Sequence, residues 1–163
     1  MALIKRGKLV TDDFVDATAL ETLPPKGKII VSVSQWRAER AQLVGRKIGL
    51  RLKSDEPPEL IAEDVNLFSV IALEFPVFRD GRAYSYARIL REQLAFTGEL
   101  RAVGDVLMEQ VHFMLRVGFD SFELSSTDAL GDYEAALADF SVWYQPTGDG
   151  HATAIQLRAA RSS

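Results

Sequence analysis

Six arginines fall between Phe75 and Phe122, in the run FPVFRDGRAYSYARILREQLAFTGELRAVGDVLMEQVHFMLRVGFDSF. Guanidinium groups hold carboxylates and phosphates through paired N–H donors, so this density points to an anion. The sharpest piece is Arg79-Asp80-Gly81-Arg82, a turn dipeptide between two arginines, with Ser85 one turn further on. A helix starting there would present unpaired backbone N–H groups beside both side chains, the makings of an anion cradle. The economical alternative is that Asp80 caps the helix and pairs with an arginine.

Arg101 lies within a short apolar stretch and needs a partner if buried; Asp105 and Glu74 are in reach of the pattern. Asp105 itself is either a helix cap or a group able to take a proton from a ligand. Gln110 stands about one turn beyond it. Gln35, Trp36 and Arg37 follow an early β-branched run and would join the same edge. These residues make the candidate site: Asp105 as acid–base, with Arg79, Asp80, Gly81, Arg82, Ser85, Arg101 and Gln110 around the ligand, and Gln35, Trp36 and Arg37 at its border. Arg88, Arg91 and Arg116 read as surface, the first within reach of Glu92 four residues on.

Several chemistries have no residues to carry them. The chain has no cysteine, which removes disulfides, thiolate metal sites and thiol redox steps. Its two histidines are isolated from carboxylate clusters, so no metal site is expected. No glycine-rich nucleotide loop or nucleophile elbow appears, and the cofactor is left unknown. A net charge of −4 argues against bulk nucleic-acid binding. No apolar stretch has the length of a membrane span or a signal core, so the expected location is cytoplasmic, away from membranes.

The elements that must position these residues alternate. Strands are expected over 29–34, 47–52, 67–75, 99–103 and 120–124, with helices over 36–44, 82–95, after Asp105 and from Thr127. A short helical piece follows Pro57-Pro58. Gly45, Gly98 and Gly118 stand at the helix-to-strand joints. Residues 3–15 read as a short hairpin. The pattern predicts a single α/β domain over 1–163, with an N-terminal hairpin or arm over 1–27 and a loose tail over 145–163. Its sheet would have about five mostly parallel strands, as an open doubly wound sheet or, alternatively, a partial (β/α) barrel. In either case the strand C-termini share one edge and collect the candidate site there. Trp143-Tyr144, after the last helix, suggests a homodimer contact.

The run F-P-x-F-R-D-G-R, then Ser85, Arg88 and Leu90-Arg91, then G-E-L-R-A-x-G-D-V with Gln110, then R-x-G-F-D-x-F, resembles the DUF934 family of bacterial proteins. The resemblance covers nearly the whole chain. It departs at Ala83, where a second glycine is common, and at Glu109, where aspartate is usual. It implies an oxidoreductase label tied to assimilatory sulfite reduction, since the genes of members sit beside sulfite reductase genes. Three readings follow. The chain would be an accessory protein of sulfite assimilation with an arginine-lined site for a small anion or phosphorylated ligand. It would otherwise be a non-catalytic module that binds sulfite reductase, or a small lyase or isomerase using Asp105. Lacking redox residues of its own, it would need a borrowed cofactor to act as an oxidoreductase.

Overall fold

A computed structural model describes residues 1–76 and 80–139. Arg79, Trp143-Tyr144 and the expected tail over 145–163 lie outside the described residues.

Eight strands form one sheet in the order β2-β1-β8-β7-β6-β5-β4-β3. The hairpin β1 (Ala2–Lys5) and β2 (Lys8–Val10) turns through Arg6-Gly7, both with positive φ, and β1 pairs antiparallel with β8 (Ser121–Leu124). From β3 (Phe14–Asp16) through β4 (Lys28–Ser32), β5 (Ile48–Leu52), β6 (Phe68–Phe75) and β7 (Glu99–Gly104) to β8 every pairing is parallel and every neighbour consecutive.

That order corrects the doubly wound expectation. A doubly wound sheet reverses its direction of growth, whereas consecutive parallel strands joined by crossovers of one hand place their connections on one face. Residues 11–13 alone join β2, at one edge, to β3, at the other. Four residue steps reach at most about 14 Å, whereas the edge strands of a flat eight-stranded sheet would lie about 33 Å apart. The sheet must therefore curl, and it forms a half-barrel, the architecture expected as the alternative. The strands exceed the expected five because the hairpin joins the sheet and because β3, three residues in a polar stretch, carries no apolar run of its own.

The outer face carries Ile29, Val31, Ile48, Leu50, Leu52, Ile71, Leu73, Phe75, Leu100 and Phe122, all buried in one core with the helices. Helix α1 (Val33–Leu43) starts from a capping box between Ser32 and Gln35. A 3-10 helix, Pro58–Leu67, leads into β6. Helix α2 (Arg82–Arg88) runs into a π-helical turn, Ile89–Gln93, and α3 (Val111–Val117) follows a short 3-10 turn at Met108–Gln110. Helix α4 (Ala129–Ala138) is capped by Asp128, which accepts from the Gly131 N–H at 3.2 Å, rather than by Ser126 or Thr127.

The joints differ in their physics. Gly118 ends α3 at φ 111°, in the left-handed region expected there. Gly98 does not; Ala95 takes the positive φ of that joint (54°), and at Gly98 a Cβ would sit 2.6 Å from the Phe96 ring. Space, not backbone angle, selects glycine at Gly98.

Candidate functional site

The strand residues that do not enter the outer core point to the concave face, where Ile30, Val70, Ala72 and Val103 lie beside a set of charged groups. Arg101 is only 2% exposed, and its guanidinium meets Glu99 at 3.0 and 3.1 Å and Asp12 at 2.8 Å. Asp12 belongs to the linker between the sheet edges, so the chain closing the half-barrel also supplies the partner that β7 needs. Glu99 further accepts from the Ser121 hydroxyl at 2.6 Å and pairs with Lys5 at 2.8 Å. Burial alone would raise the Glu99 carboxyl, but the bonds from Lys5 and Ser121 and the charge of Arg101 outweigh it and hold it below its ordinary range. On the next strands Arg51 bridges Asp16 at 2.9 Å and Glu74 at 3.0 Å. Glu123 carries no such bond among the described residues, and burial pushes its carboxyl up, partly opposed by Arg101.

At the C-terminal ends of the strands this face opens into a mouth of about 320 Å³, lined by Thr18, Ala19, Ser32, Ser34, Arg51, Lys53, Glu56 and Glu74. Two residues singled out by sequence, Gln35 and Arg82, help to hold its walls. Gln35 donates to the backbone carbonyls of Ala17 at 2.9 Å and Leu20 at 3.1 Å, fixing the Thr18-Ala19 wall. Arg82 donates to the Ser54 hydroxyl at 3.2 Å, and Tyr86 to the Ser54 carbonyl at 2.6 Å, fixing the opposite wall. Arg82 is itself paired with Asp80 at 2.7 Å, and that bond, with the Arg82 backbone N–H, pulls the Asp80 carboxyl down to about 2. Asp80 thus forms the expected pair with an arginine but not the helix cap: Gly81 holds that position without a side-chain bond, and Asp80 accepts from the Arg82 N–H at 3.1 Å.

The remaining predicted residues do not gather with these. Trp36 is buried in the helix layer, donating to Asp64 at 2.9 Å with its ring edge-on to Phe68. Arg37 is exposed and among the described residues reaches only the Leu60 carbonyl, at 3.4 Å. Ser85 is exposed on α2. Gln110 accepts from the Tyr84 hydroxyl, which burial pushes up to about 12. Asp105 is exposed, its backbone N–H bonded to the Phe75 carbonyl at 2.7 Å, and the helix it was expected to begin starts three residues later. Arg101 faces the half-barrel interior with its charge already met.

Sequence reasoning passed over the three arginines it assigned to the surface. Arg88, Arg91 and Arg116 line one cleft of about 450 Å³ in the outer layer, with Glu92, Thr97, Val117, Gly118 and Asp120. Arg91 stitches its walls: it donates to the carbonyls of Phe96 and Gly98 at 2.8 Å, to the Gly118 carbonyl at 2.9 and 3.1 Å, and to the Asp120 carboxylate at 2.6 Å. Arg116 is 8% exposed, in the wall. Arg88 is exposed at the rim and makes no ion pair with Glu92 or any other described residue. The signal available was the spacing of Arg88, Arg91 and Glu92, three and four residues apart, which places them along one side of the helix.

Fold and clefts together define an α/β half-barrel protein with its helices outside, a polar mouth and an arginine-lined cleft. The chain belongs to the family described as a bacterial protein of unknown function (DUF934), whose model matches residues 49–155. No curated protein and no solved structure matches it. Among the described residues no helix is long and apolar enough to cross a membrane, and no group of three or more His, Cys, Asp or Glu is placed to hold a metal ion.

Proposed function

We propose that the chain binds a small oxyanion, or the phosphoryl group of a larger ligand, and serves assimilatory sulfite reduction as an accessory protein. The observation that carries the binding is the cleft where Arg88, Arg91 and Arg116 meet. Among its described lining residues three arginines stand against Glu92 and Asp120, and Asp120 is already paired with Arg91. Arg91 positions the walls; Arg88, exposed and without an ion pair among the described residues, makes the direct contact. The link to sulfite reduction rests on the family resemblance. An arginine-lined anion site supports it because sulfite and sulfate are ligands of that kind.

Titration of sulfate and of inorganic phosphate into the full chain, followed by backbone amide shifts, tests the binding. Arg88→Ala is expected to weaken it at least tenfold, while Arg37→Ala leaves it unchanged. Equal affinity in the two variants would remove the cleft as the site. The physiological link is tested by growth of a deletion strain on sulfate against growth on cysteine, with Arg88→Ala expected to fail to restore growth on sulfate.

The exposed rim at Arg88 also favours a second reading, in which the same face docks sulfite reductase. A pull-down separates the two: Arg88→Glu abolishes capture if the face docks the reductase, and leaves it intact if the cleft holds only a small anion.

A further inference from the structure

The mouth of the half-barrel differs from the arginine cleft in its position and balance of charge. It lies at the C-terminal ends of β4, β5 and β6, the end at which parallel α/β sheets and barrels take their ligands. Its floor is the Asp16–Arg51–Glu74 bridge. Both walls are tied down from outside, one by Gln35 and the other by Arg82 and Tyr86. The second wall is also closed on itself: Glu56 accepts from the Lys53 N–H at 2.9 Å, and its own N–H donates to the Lys53 carbonyl at 3.0 Å. Lining groups held this way lose little freedom when a ligand arrives.

Within that frame the polar groups are incompletely used. The Lys53 ammonium has no hydrogen-bond or ion-pair partner among the described residues. Glu56 and Glu74 each commit Oε2 to one bond, and their Oε1 atoms have none among the described residues. The Ser32 and Ser34 hydroxyls bond to each other at 3.1 Å and the Ser32 oxygen also accepts from the Gln35 N–H, so one O–H proton of the pair remains to donate. A simple anion would be attracted by Lys53 but would face two carboxylates. A simple cation would meet the reverse. A molecule bearing both signs satisfies both sets.

We propose that the mouth is a second binding site, for a small zwitterion of amino-acid type, with its carboxylate on Lys53 and the one serine O–H left to donate, and its ammonium on Glu74 and Glu56. A cavity of about 320 Å³ accommodates such a molecule with room for a short side chain. The assignment uses no residue of the arginine cleft and stands or falls independently of it.

The test is calorimetric titration of the full chain with L-serine, with acetate and methylammonium as probes of each half alone. L-Serine is expected to bind at least tenfold more tightly than either half. Lys53→Ala, an exposed substitution, is expected to weaken it tenfold or more, and Arg88→Ala to leave it unchanged. Glu74→Gln serves as the second variant, with its melting temperature measured alongside because it also releases Arg51. L-Serine binding no tighter than acetate, or unaffected by Lys53→Ala, overturns the proposal.

Discussion

Glu123 and Arg101 share the concave face, and the difference between them shows how much a partner matters in a low-dielectric interior. Arg101 brings its charge inside with two carboxylates already aimed at it. Glu123 is turned to the same interior without a bond among the described residues, and its carboxyl is raised by burial. The folded chain therefore holds the Glu123 proton more tightly than the unfolded chain. Below the unfolded value near 4.5 both states are protonated and the residue costs nothing. As pH rises past that value the unfolded state ionises first, and stability falls until the folded carboxyl has ionised too. Glu123→Gln, which keeps the shape and removes the ionisation, is expected to raise the melting temperature at neutral pH. The gain should shrink as the pH is lowered towards 4. Melting curves of both chains across that range check it; a gain of the same size at every pH would show that ionisation is not its source.

At the scale of elements, the helix-to-strand joints show which part of the design was legible. Period and glycine punctuation located β4 to β8, α1, α2 and α4 to within a few residues, because each has an apolar stripe of its own. They could not show that α2 loosens into a π turn, or that Arg91, on that turn, ties together the joints before β7 and β8. That knowledge depends on which carbonyls converge in space. The five donors of one guanidinium serve three carbonyls and a carboxylate there. Removing them strands those acceptors and leaves Asp120 without its cation. Arg91→Met is expected to cost about 3 kcal/mol, the low end of the range for breaking a buried charge pair, because Arg91 and Asp120 are both partly exposed. Arg91→Lys should recover little of it, since an ammonium cannot span the same acceptors. Urea unfolding of the variants measures both; a loss within 1 kcal/mol would mean that the joints hold without the clamp.

The whole molecule depends on an interval that the sequence reads only as part of a hairpin over 3–15. The alternation of strands and helices led to a parallel sheet, but not to its winding, because strand order is written in tertiary contacts. Residues 11–13 carry that information physically: they are too short to join the edges of a flat sheet, and Asp12 among them binds Arg101 from 89 residues away in the chain. The mouth was hidden in the same way: the sequence offers Glu74 as a partner for Arg101, whereas Glu74 pairs with Arg51 on the neighbouring strand and Arg101 with Asp12 and Glu99. Deleting residues 1–13 removes β1, β2 and Asp12 together. It uncovers the long edge of β8, takes Lys5 from Glu99 and leaves Arg101 with one partner. The shortened chain still contains every strand of the parallel set, so secondary structure should largely persist while cooperative unfolding is lost and the exposed edge drives association. Circular dichroism, calorimetry and light scattering on the truncated chain test this together. A monomer that unfolds cooperatively at the full-length temperature would show that the parallel strands hold their curl without the hairpin or its linker.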